Sequence, residues 1–309
     1  MATLVMYHYV RDVEKSAFPN IRALSIDRFR GQLDWLQQNL NIVDPYAMVR
    51  ASLSGEPMGE KDCVLTFDDG FIDHYETVLP EFQKRGIAGA FFPSAVPIKE
   101  GKLLDVHKIQ HIIGGRADHA DIAESLIHLV KSNPEKCGGK TAESYVSEFK
   151  KADHLDSAEV VFIKHLLQYA LPEQARTEFA DALFREHVGS DEKAFAESLY
   201  MNLDQIRELH AAGNLIGGHG YRHIWLGKSS PELQRDEFTR TQAFLAEINP
   251  EIAIDWVFCY PYGSHDETTL ALMKEFGGRV GLTTENAEHK TANHLQAPRI
   301  DTIYLPFSA

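Results

Sequence analysis

The sequence predicts an α/β fold built on parallel strands and interrupted by a run of helices. Short apolar segments typical of buried strands alternate with segments of helical period over residues 4–93 and again over 203–282. Between them, residues 102–199 show amphipathic helical segments and no strand signal. Because no Pro/Gly/Ser-rich linker borders this stretch, we expect a single domain, 1–309, with an all-helical insertion at 102–199.

The first block of alternation contains three strands and two helices. Residues 27–40 carry apolar side chains at helical spacing, and residues 71–85 form a second helical segment that Gly86 closes. The predicted strands are 4–7, 63–67 and 88–93. A helix therefore lies between successive strands, as parallel pairing requires.

The second block begins after the insertion, and two of its helices have marked starts. Asn202 and Gln205 have capping-box spacing, and Ser230 is a cap followed by Pro at the first helical position. The elements predicted here are strands at 215–216, 256–258 and 280–282 and helices at 203–212, 231–248 and 268–276. In the insertion, the predicted helical segments include 122–131, 158–169 and 173–185.

Composition and charge restrict the class of function. Of the 309 residues, 44% are hydrophobic and 25% are charged, as in ordinary globular proteins. The net charge of −14 argues against nucleic acid and anionic membrane surfaces as partners. The three cysteines show no CxxC spacing, which argues against a disulfide framework and a thiolate zinc site.

The N-terminal residues have neither the basic region nor the long apolar region of a secretion signal. No apolar run approaches the length of a membrane-spanning helix. We therefore expect a cytoplasmic protein without a membrane span. The sequence makes no prediction of the oligomeric state.

Two adjacent acids mark the most informative segment, residues 66–70 with the sequence TFDDG. It follows a buried strand, so Asp68 and Asp69 are expected at the carboxyl edge of the sheet, where α/β folds place their chemistry. Neighbouring side chains on an extended backbone point in different directions, so one acid can bind a metal while the other handles a proton. A turn that caps a helix is the alternative interpretation of this segment alone.

Histidines at i and i+4 supply further metal ligands. His219 and His223 would project from one face of a helical turn, and with Asp69 they would form a two-histidine, one-carboxylate site. A metal with open positions would lower the pKa of a bound water and polarise a carbonyl oxygen. Zn²⁺ is the preferred ion, with Co²⁺, Ni²⁺ or Fe²⁺ as alternatives. In a chain with 15 histidines, this spacing alone also fits chance.

These motifs together resemble the polysaccharide deacetylases, the NodB-homology proteins of carbohydrate esterase family 4. The similar segments are TFDDG at 66–70, HxxxH at 219–223 and YPYG at 260–263, with MYH at 6–8 and PRID at 298–301 in support. The resemblance covers residues 3–97 and 200–305 and leaves out the insertion.

The resemblance implies a distorted (β/α)7-type barrel of the NodB kind, with the site at the carboxyl ends of its strands. Asp69, His219 and His223 would be the metal ligands. Asp68 would be the general base, and the backbone N–H of Tyr262 would help to hold the oxyanion. The products would be acetate and a free amine on a sugar.

Departures from the family pattern leave parts of the site open. The arginine that normally pairs with the base is replaced by Cys259, and Arg299 is the candidate substitute, with Asp301 as its own partner. The general acid is not marked by a clear motif; His294 is placed ahead of His8.

Three further positions carry expectations. Gly220 stands where the family has Ser or Thr, which removes a hydroxyl that would brace the loop. Trp225 is interpreted equally well as a sugar-stacking ring or as core. His74 is expected to be a solvated helix residue.

The leading hypothesis is a metal-dependent deacetylase that removes an N-acyl group from an amino sugar, either a small molecule or an oligosaccharide. Its cytoplasmic location would favour surface-polysaccharide biosynthesis, such as that of lipopolysaccharide or O-antigen. Hydrolysis of a non-sugar amide at the same site and a catalytically inactive carbohydrate-binding relative are the alternatives.

Overall fold

The computed structural model describes residues 2–289 and 293–308, and the chain forms two compact units. The first unit comprises Met1–Arg11, Ala23–Lys102 and Ala196–Ala309, and the second comprises Asp12–Arg22 and Leu103–Phe195. The second unit overlaps the predicted insertion and also takes in the short segment Asp12–Arg22, which no sequence pattern singles out. The assignment of one domain with an insertion stays a prediction.

All strands described belong to the first unit. They are β1 (Thr3–Tyr7), β2 (Asn41–Ile42), β3 (Asp62–Asp69), β4 (Ala90–Pro93), β5 (Leu215–Ile216), β6 (Val257–Cys259), β7 (Val280–Leu282) and β8 (Ile300–Asp301). One sheet has the order β5-β4-β3-β1-β8, with β2 beside β3, and β6 pairs with β7 in a second sheet. Every pair of strands in the two sheets is parallel.

Single parallel bridges connect the edges of the two sheets. Gly218 bridges to Phe258, and Leu282 bridges to Ala297 just before β8. The strands thus follow one another in a ring. Within each of the two sheets the strands are paired by ladders, and between the sheets they are joined only by these single bridges. The predicted parallel α/β class is confirmed, and the interrupted ring is the form that the distortion of the barrel takes.

Alternate residues of β3 face two different apolar layers, as the twofold period of a strand dictates. Leu65 and Phe67 belong to the larger core cluster, in which helices pack around the strands. Val64 belongs to a second cluster that collects buried residues from β1, β3, β4, β5, β6 and β7. Side chains from so many strands can meet only inside the ring. Asp68 has the same parity as Val64, so the strand directs its carboxylate toward the interior.

Thirteen α-helices are described. They are α1 (Ile26–Asn39), α2 (Ala47–Ser54), α3 (Leu79–Arg85), α4 (Ala95–Glu100), α5 (Asp105–Gly114), α6 (His119–Ser132), α7 (Ala142–Phe149), α8 (Ala158–His165), α9 (Glu173–His187), α10 (Glu192–Leu199), α11 (Leu203–Ala211), α12 (Pro231–Ile248) and α13 (Glu267–Glu275). Short π-helical segments are His74–Val78 and Leu166–Ala170, and 3-10 turns are Pro134–Lys136, Leu226–Lys228, Pro250–Ala253, Pro261–Gly263, His294–Gln296 and Thr302–Tyr304.

The marked helix starts are confirmed. The side chains of Asn202 and Gln205 form a reciprocal capping box at α11, and Ser230 caps α12, which has Pro231 in its first turn. Elements that the sequence did not predict include β2 and β8, with two residues each, α4, with six, and α2, with eight. Segments of that length contain too few residues to establish a period.

The second unit is helical throughout its described residues and contains α5 to α9. Lys108 in α5 is buried and forms ion pairs with Asp181 and with Glu192, the latter at 2.9 Å. His107 beside it is fully buried. The ion pairs of Lys108 therefore link α5 to α9 and to the start of α10. None of the described helices combines the length and the apolar character needed to cross a bilayer.

Candidate metal and active site

Both acids of the TFDDG segment are the last residues of β3, where the strand lies between β1 and β4. Asp68 and Asp69 are 2% and 5% exposed. In a regular strand they would point to opposite faces. Asp69 has a left-handed backbone with φ of 75°, which breaks this alternation. Its carboxylate thereby reaches the two histidines while Asp68 keeps the direction set by the strand.

The segment that carries the two histidines is a loop, and the predicted helical turn is wrong. Two of its residues, Gly220 and His223, have left-handed backbones with φ of 75° and 59°. A Cβ atom at Gly220 would lie 3.2 Å from Oε2 of Glu237, so both the backbone angle and the space favour glycine. The Ser or Thr of the family pattern would be strained here. The imidazoles still converge, because the loop folds back on itself.

Three ligand atoms form a triangle of the size that a small divalent cation needs. Nε2 of His219 and Nε2 of His223 are 3.1 Å apart, and they lie 3.4 and 3.5 Å from Oδ1 of Asp69. Ligand distances of about 2.0–2.1 Å around a tetrahedral Zn²⁺ place neighbouring ligand atoms about 3.3 Å apart. The residues present therefore fit the metal predicted from the sequence.

The other nitrogen of His219 fixes which tautomer faces this triangle. Nδ1 lies 2.8 Å from the backbone carbonyl oxygen of Cys259. A carbonyl can only accept, so Nδ1 carries the hydrogen and Nε2 has a lone pair available for a metal. This is the usual way in which a protein orients a histidine ligand.

Asp68, His219 and Cys259 also lie close enough together to hold an ion. The fully buried guanidinium of Arg299 contacts both Asp68 and Cys259, and its positive charge disfavours a cation between them. Asp69, His219 and His223 are therefore the better metal site of the two.

Arg299 forms a forked pair with the carboxylate of Asp68. Its Nη1 donates to Oδ1 at 2.8 Å and its Nη2 donates to Oδ2 at 2.7 Å. Its Nε donates to the carbonyl of Thr283 at 2.9 Å, which orients the plane of the guanidinium. Burial alone would raise the pKa of the Asp68 carboxyl, but the charge and hydrogen bonds of Arg299 outweigh burial and hold that pKa well below its ordinary value. Asp68 is thus a carboxylate at neutral pH.

Cys259 lies where the family has arginine, and it serves the same pair. Its thiol donates to Oδ2 of Asp68 at 3.4 Å and accepts from Nη2 of Arg299 at 3.1 Å. Burial raises the pKa of the Cys259 thiol, so the group stays neutral. The predicted pairing of Arg299 with Asp301 is not found: the carboxylate of Asp301 accepts from the backbone N–H of Ile303 at 2.9 Å. The guanidinium of Arg299 instead makes five hydrogen bonds, two to Asp68 and one each to Thr66, Cys259 and Thr283.

Of the two predicted general acids, the structure brings only His8 to Asp68. Nε2 of His8 lies 3.8 Å from Oδ2 of Asp68, and its side chain is 43% exposed. Among the described residues, no contact joins His294 to Asp68 or to the histidine pair; its ring lies 5.8 Å from that of His289.

His74 holds the segment that follows β1, and its expected exposure is wrong. Its side chain is fully buried, and its Nε2 lies 3.0 Å from the backbone oxygen of His8. The neighbouring Asp73 accepts the backbone N–H of Val10 at 3.0 Å and pairs with Arg11 at 2.6 Å. The helical segment after TFDDG therefore fixes the position of His8.

The aromatic ring of Tyr262 packs against the imidazole of His223. Tyr262 has a left-handed backbone with φ of 58°, and its ring meets that of His223 edge to face with centroids 4.6 Å apart. Its ring also stacks in parallel on Trp225, with centroids 4.1 Å apart, and Nζ of Lys228 lies 4.4 Å from the centroid of the Trp225 ring. The indole of Trp225 is therefore already engaged by a tyrosine ring and a lysine ammonium of the chain itself.

In the described part of the chain, the non-glycine residues with left-handed backbones are Asp69, His223 and Tyr262. All three lie at this site. Such conformations cost of order 1 kcal/mol or more each and persist where surrounding contacts impose them. Their clustering is an independent indication that the site has a function.

Sequence reasoning missed Glu237. It is fully buried in α12 and accepts hydrogen bonds from the loop between the two histidines. An isolated glutamate within an amphipathic helix carries no sequence signal that separates it from a solvated one.

Comparison with known proteins supports the motifs. A family model described as "Polysaccharide deacetylase" matches residues 181–281, which include HxxxH and YPYG but not TFDDG. The resemblance to polysaccharide deacetylases is confirmed. No curated protein matches the sequence with significance.

Solved structures of deacetylases share the fold over nearly the whole chain. The Streptococcus pyogenes deacetylase PplD in complex with acetate has a TM-score of 0.58 and 18% identity, covering 98% of this chain and 92% of that chain. IcaB from Ammonifex degensii has a TM-score of 0.55 and 19% identity, covering 97% and 90%. A de-N-acetylase from Aggregatibacter actinomycetemcomitans has a TM-score of 0.55 and 15% identity, covering 99% and 97%. The NodB-type fold predicted from the motifs is confirmed.

Proposed function

We propose that this protein is a metal-dependent deacetylase that hydrolyses the N-acyl group of an amino sugar. One observation carries the proposal: a buried carboxylate kept ionised by Arg299 stands beside a three-ligand triangle of the right size for a divalent cation. The family match supports the reaction class. The names of two structural neighbours, a de-N-acetylase and a deacetylase in complex with acetate, support acetyl as the acyl group.

Asp69, His219 and His223 would hold the cation. When bound, the ion would polarise the amide carbonyl and acidify a water molecule. Zn²⁺ is our choice for a site of two imidazoles and one carboxylate, although this donor set also accepts Co²⁺, Ni²⁺ or Fe²⁺.

Asp68 would take a proton from the attacking water as its oxygen bonds to the carbonyl carbon. The low pKa of Asp68 keeps it in the form that accepts a proton, and Arg299 keeps its two oxygens in place. We assign to the backbone N–H of Tyr262 the stabilisation of the oxyanion.

His8 would donate a proton to the sugar nitrogen as the C–N bond breaks, which leaves a carboxylic acid and an amine. Its position beside Asp68 and its partial exposure favour it over His294. Asp301 has the more distant role of capping the turn at Thr302–Tyr304 behind β8, next to Arg299 in sequence.

One observation bears on the alternatives. The cysteine at position 259 allows a non-sugar hydrolase, and together with Gly220 and the unassigned general acid it motivates the inactive relative. Arg299 now supplies a forked contact to the same carboxylate. We place the activity in surface-polysaccharide biosynthesis, acting on small or oligomeric N-acylated amino sugars in the cytoplasm.

The test is the Asp68→Asn variant, with zinc content measured alongside acetate release from N-acetylated oligosaccharides and nucleotide sugars. Asn keeps the size of the side chain and loses the proton acceptor. We expect bound zinc to be retained and the rate to fall by about 10²–10⁴-fold.

Asp27→Asn, the same type of change at a 97% exposed position in the first turn of α1, is the control and should keep full activity. A D68N protein that holds zinc and is as active as wild type would remove Asp68 from the mechanism. A wild type without activity on any acetylated sugar would refute the substrate class.

A further inference from the structure

The histidine loop is anchored by one buried carboxylate. Oε2 of Glu237 accepts the backbone N–H groups of Tyr221 at 2.8 Å and Arg222 at 2.9 Å. Its Oε1 accepts from Nε of Arg222 at 2.5 Å. Both oxygens of one fully buried side chain therefore serve the segment between His219 and His223.

The carbonyl groups of the same loop are bound from the start of α4. The hydroxyl of Ser94 donates to the carbonyl of His219 at 2.8 Å. The next two backbone N–H groups in α4 donate to the carbonyls of Gly220 and Tyr221, at 3.3 and 2.9 Å. The loop is thus held by its carbonyl groups on one side and by its N–H groups on the other.

An irregular loop needs such partners. Its peptide groups have no regular ladder, and a buried N–H without an acceptor costs free energy. The left-handed conformations of Gly220 and His223 must also be maintained by surrounding contacts. Hydrogen bonds to an ionised acceptor are the stronger kind, and Glu237 supplies three of them.

We infer that Glu237 is a positioning residue that sets the spacing of His219 and His223 before any metal ion arrives. The inference rests on the metal site of the proposed function. With Glu237 in place, the two Nε2 atoms stand 3.1 Å apart. Without it, the loop loses its N–H acceptors and the imidazoles lose their fixed separation.

The test is zinc affinity of the full-length apoprotein, measured by competition with a chromophoric chelator, in wild type and in Glu237→Gln. Glutamine has the same size as glutamate, but an amide nitrogen replaces one of the two carboxylate oxygens. That nitrogen cannot accept a hydrogen bond, so the variant loses either the two backbone N–H groups or Nε of Arg222. We expect zinc affinity to fall by about 10–100-fold, the usual effect of removing a partner behind the ligands.

The matched control is Asp236→Asn. Asp236 is the preceding residue of α12, it is half exposed, and it pairs with the same guanidinium of Arg222, yet it contacts neither backbone N–H. This variant should bind zinc as wild type does. Thermal unfolding of each apoprotein shows that the variant is folded at the temperature at which zinc affinities are compared.

The outcomes separate the two proposals. Zinc binding by a folded E237Q protein with wild-type affinity would overturn the positioning role and leave the metal site standing. A wild type that binds no zinc would overturn the metal site and the positioning role with it.

Hydrogen exchange of the wild-type apoprotein tests the same inference without any variant, should E237Q fail to fold. The amide hydrogens of Tyr221 and Arg222 should exchange slowly before zinc is added. Amides that exchange freely until zinc arrives would show that the metal orders the loop, which contradicts a positioning role for Glu237.

Discussion

Asp68 and Arg299 form a buried ion pair in which each residue keeps the other charged. The pair is almost completely removed from solvent, with exposed fractions of 2% and 0%. Desolvating two charges is costly, and their attraction offsets that cost only with good geometry and further hydrogen bonds. The forked contact and the contacts to Thr66 and Cys259 supply both.

Replacing Arg299 by Gln should destabilise the protein strongly, because it leaves the carboxylate of Asp68 buried without its counter-ion. We expect a loss of about 3–5 kcal/mol in the free energy of unfolding, measured in urea. The control is Arg235→Gln, which breaks a forked pair with Glu275 that is half exposed. That change should cost less than about 1 kcal/mol. Equal losses in the two variants would contradict the role given to burial.

The buried His74 makes stability depend on pH. Burial lowers the pKa of His74 to about 4, from an ordinary value of 6.5. The unfolded chain therefore binds a proton at a higher pH than the folded chain does. The contribution of His74 to stability is complete above pH 6.5 and is lost as the pH falls toward 4.

The change should amount to about 3 kcal/mol over that pH window. It can be measured as the difference in unfolding free energy between wild type and His74→Asn, determined in urea at several pH values. The wild type should lose more stability than the variant on acidification. His154→Asn, at an exposed position, is the control and should follow the wild type. Parallel curves for wild type and H74N would refute this account.

At the scale of elements, the loop 219–223 depends on a glycine. We expect Gly220→Ser, which restores the residue type of the family pattern, to cost about 1–2 kcal/mol of stability because of the left-handed backbone. It should also weaken zinc binding, since the loop that holds the ligands must shift. Gly213→Ser is the control: its φ is 89°, but no atom lies within 4 Å of the added Cβ, so zinc affinity should not change. Unfolding in urea and chelator competition measure the two effects.

The features of the fold that depend on residues close together in sequence could be predicted from the sequence. The capping box at Asn202 and Gln205 uses contacts three residues apart, and the helix start at Ser230 uses the next residues along the chain. Strands were recognised where enough apolar residues followed one another. Such features need no knowledge of the rest of the molecule.

The parts of the site that could not be predicted depend on contacts between residues far apart in sequence. The helical turn expected for His219 and His223 assumed regular backbone angles, whereas the loop is shaped by contacts with α4 and α12. The hydrogen bonds between Arg299 and Asp68 span 231 positions, which no local pattern can encode. The candidate ligands were nevertheless found together because parallel strands bring their carboxyl ends to one edge.

At the scale of the molecule, binding of the ion should be visible as global stabilisation. A ligand that binds only the folded chain adds about 2.7 kcal/mol at a free concentration a hundredfold above its dissociation constant. We expect zinc to raise the midpoint of urea unfolding in wild type and in Asp68→Asn. Asp69→Ala should lose most of this increase, because it removes one of three ligands. Equal shifts in D69A and wild type would place the ion elsewhere.

The pairing of β1 with both β3 and β8 has a consequence for biosynthesis. A ribosome delivers Asp68 231 residues before Arg299. Throughout that interval the nascent chain has the carboxylate of Asp68 but lacks the guanidinium that pairs with it. A growing chain therefore cannot bury Asp68 at low cost until Arg299 has been synthesised.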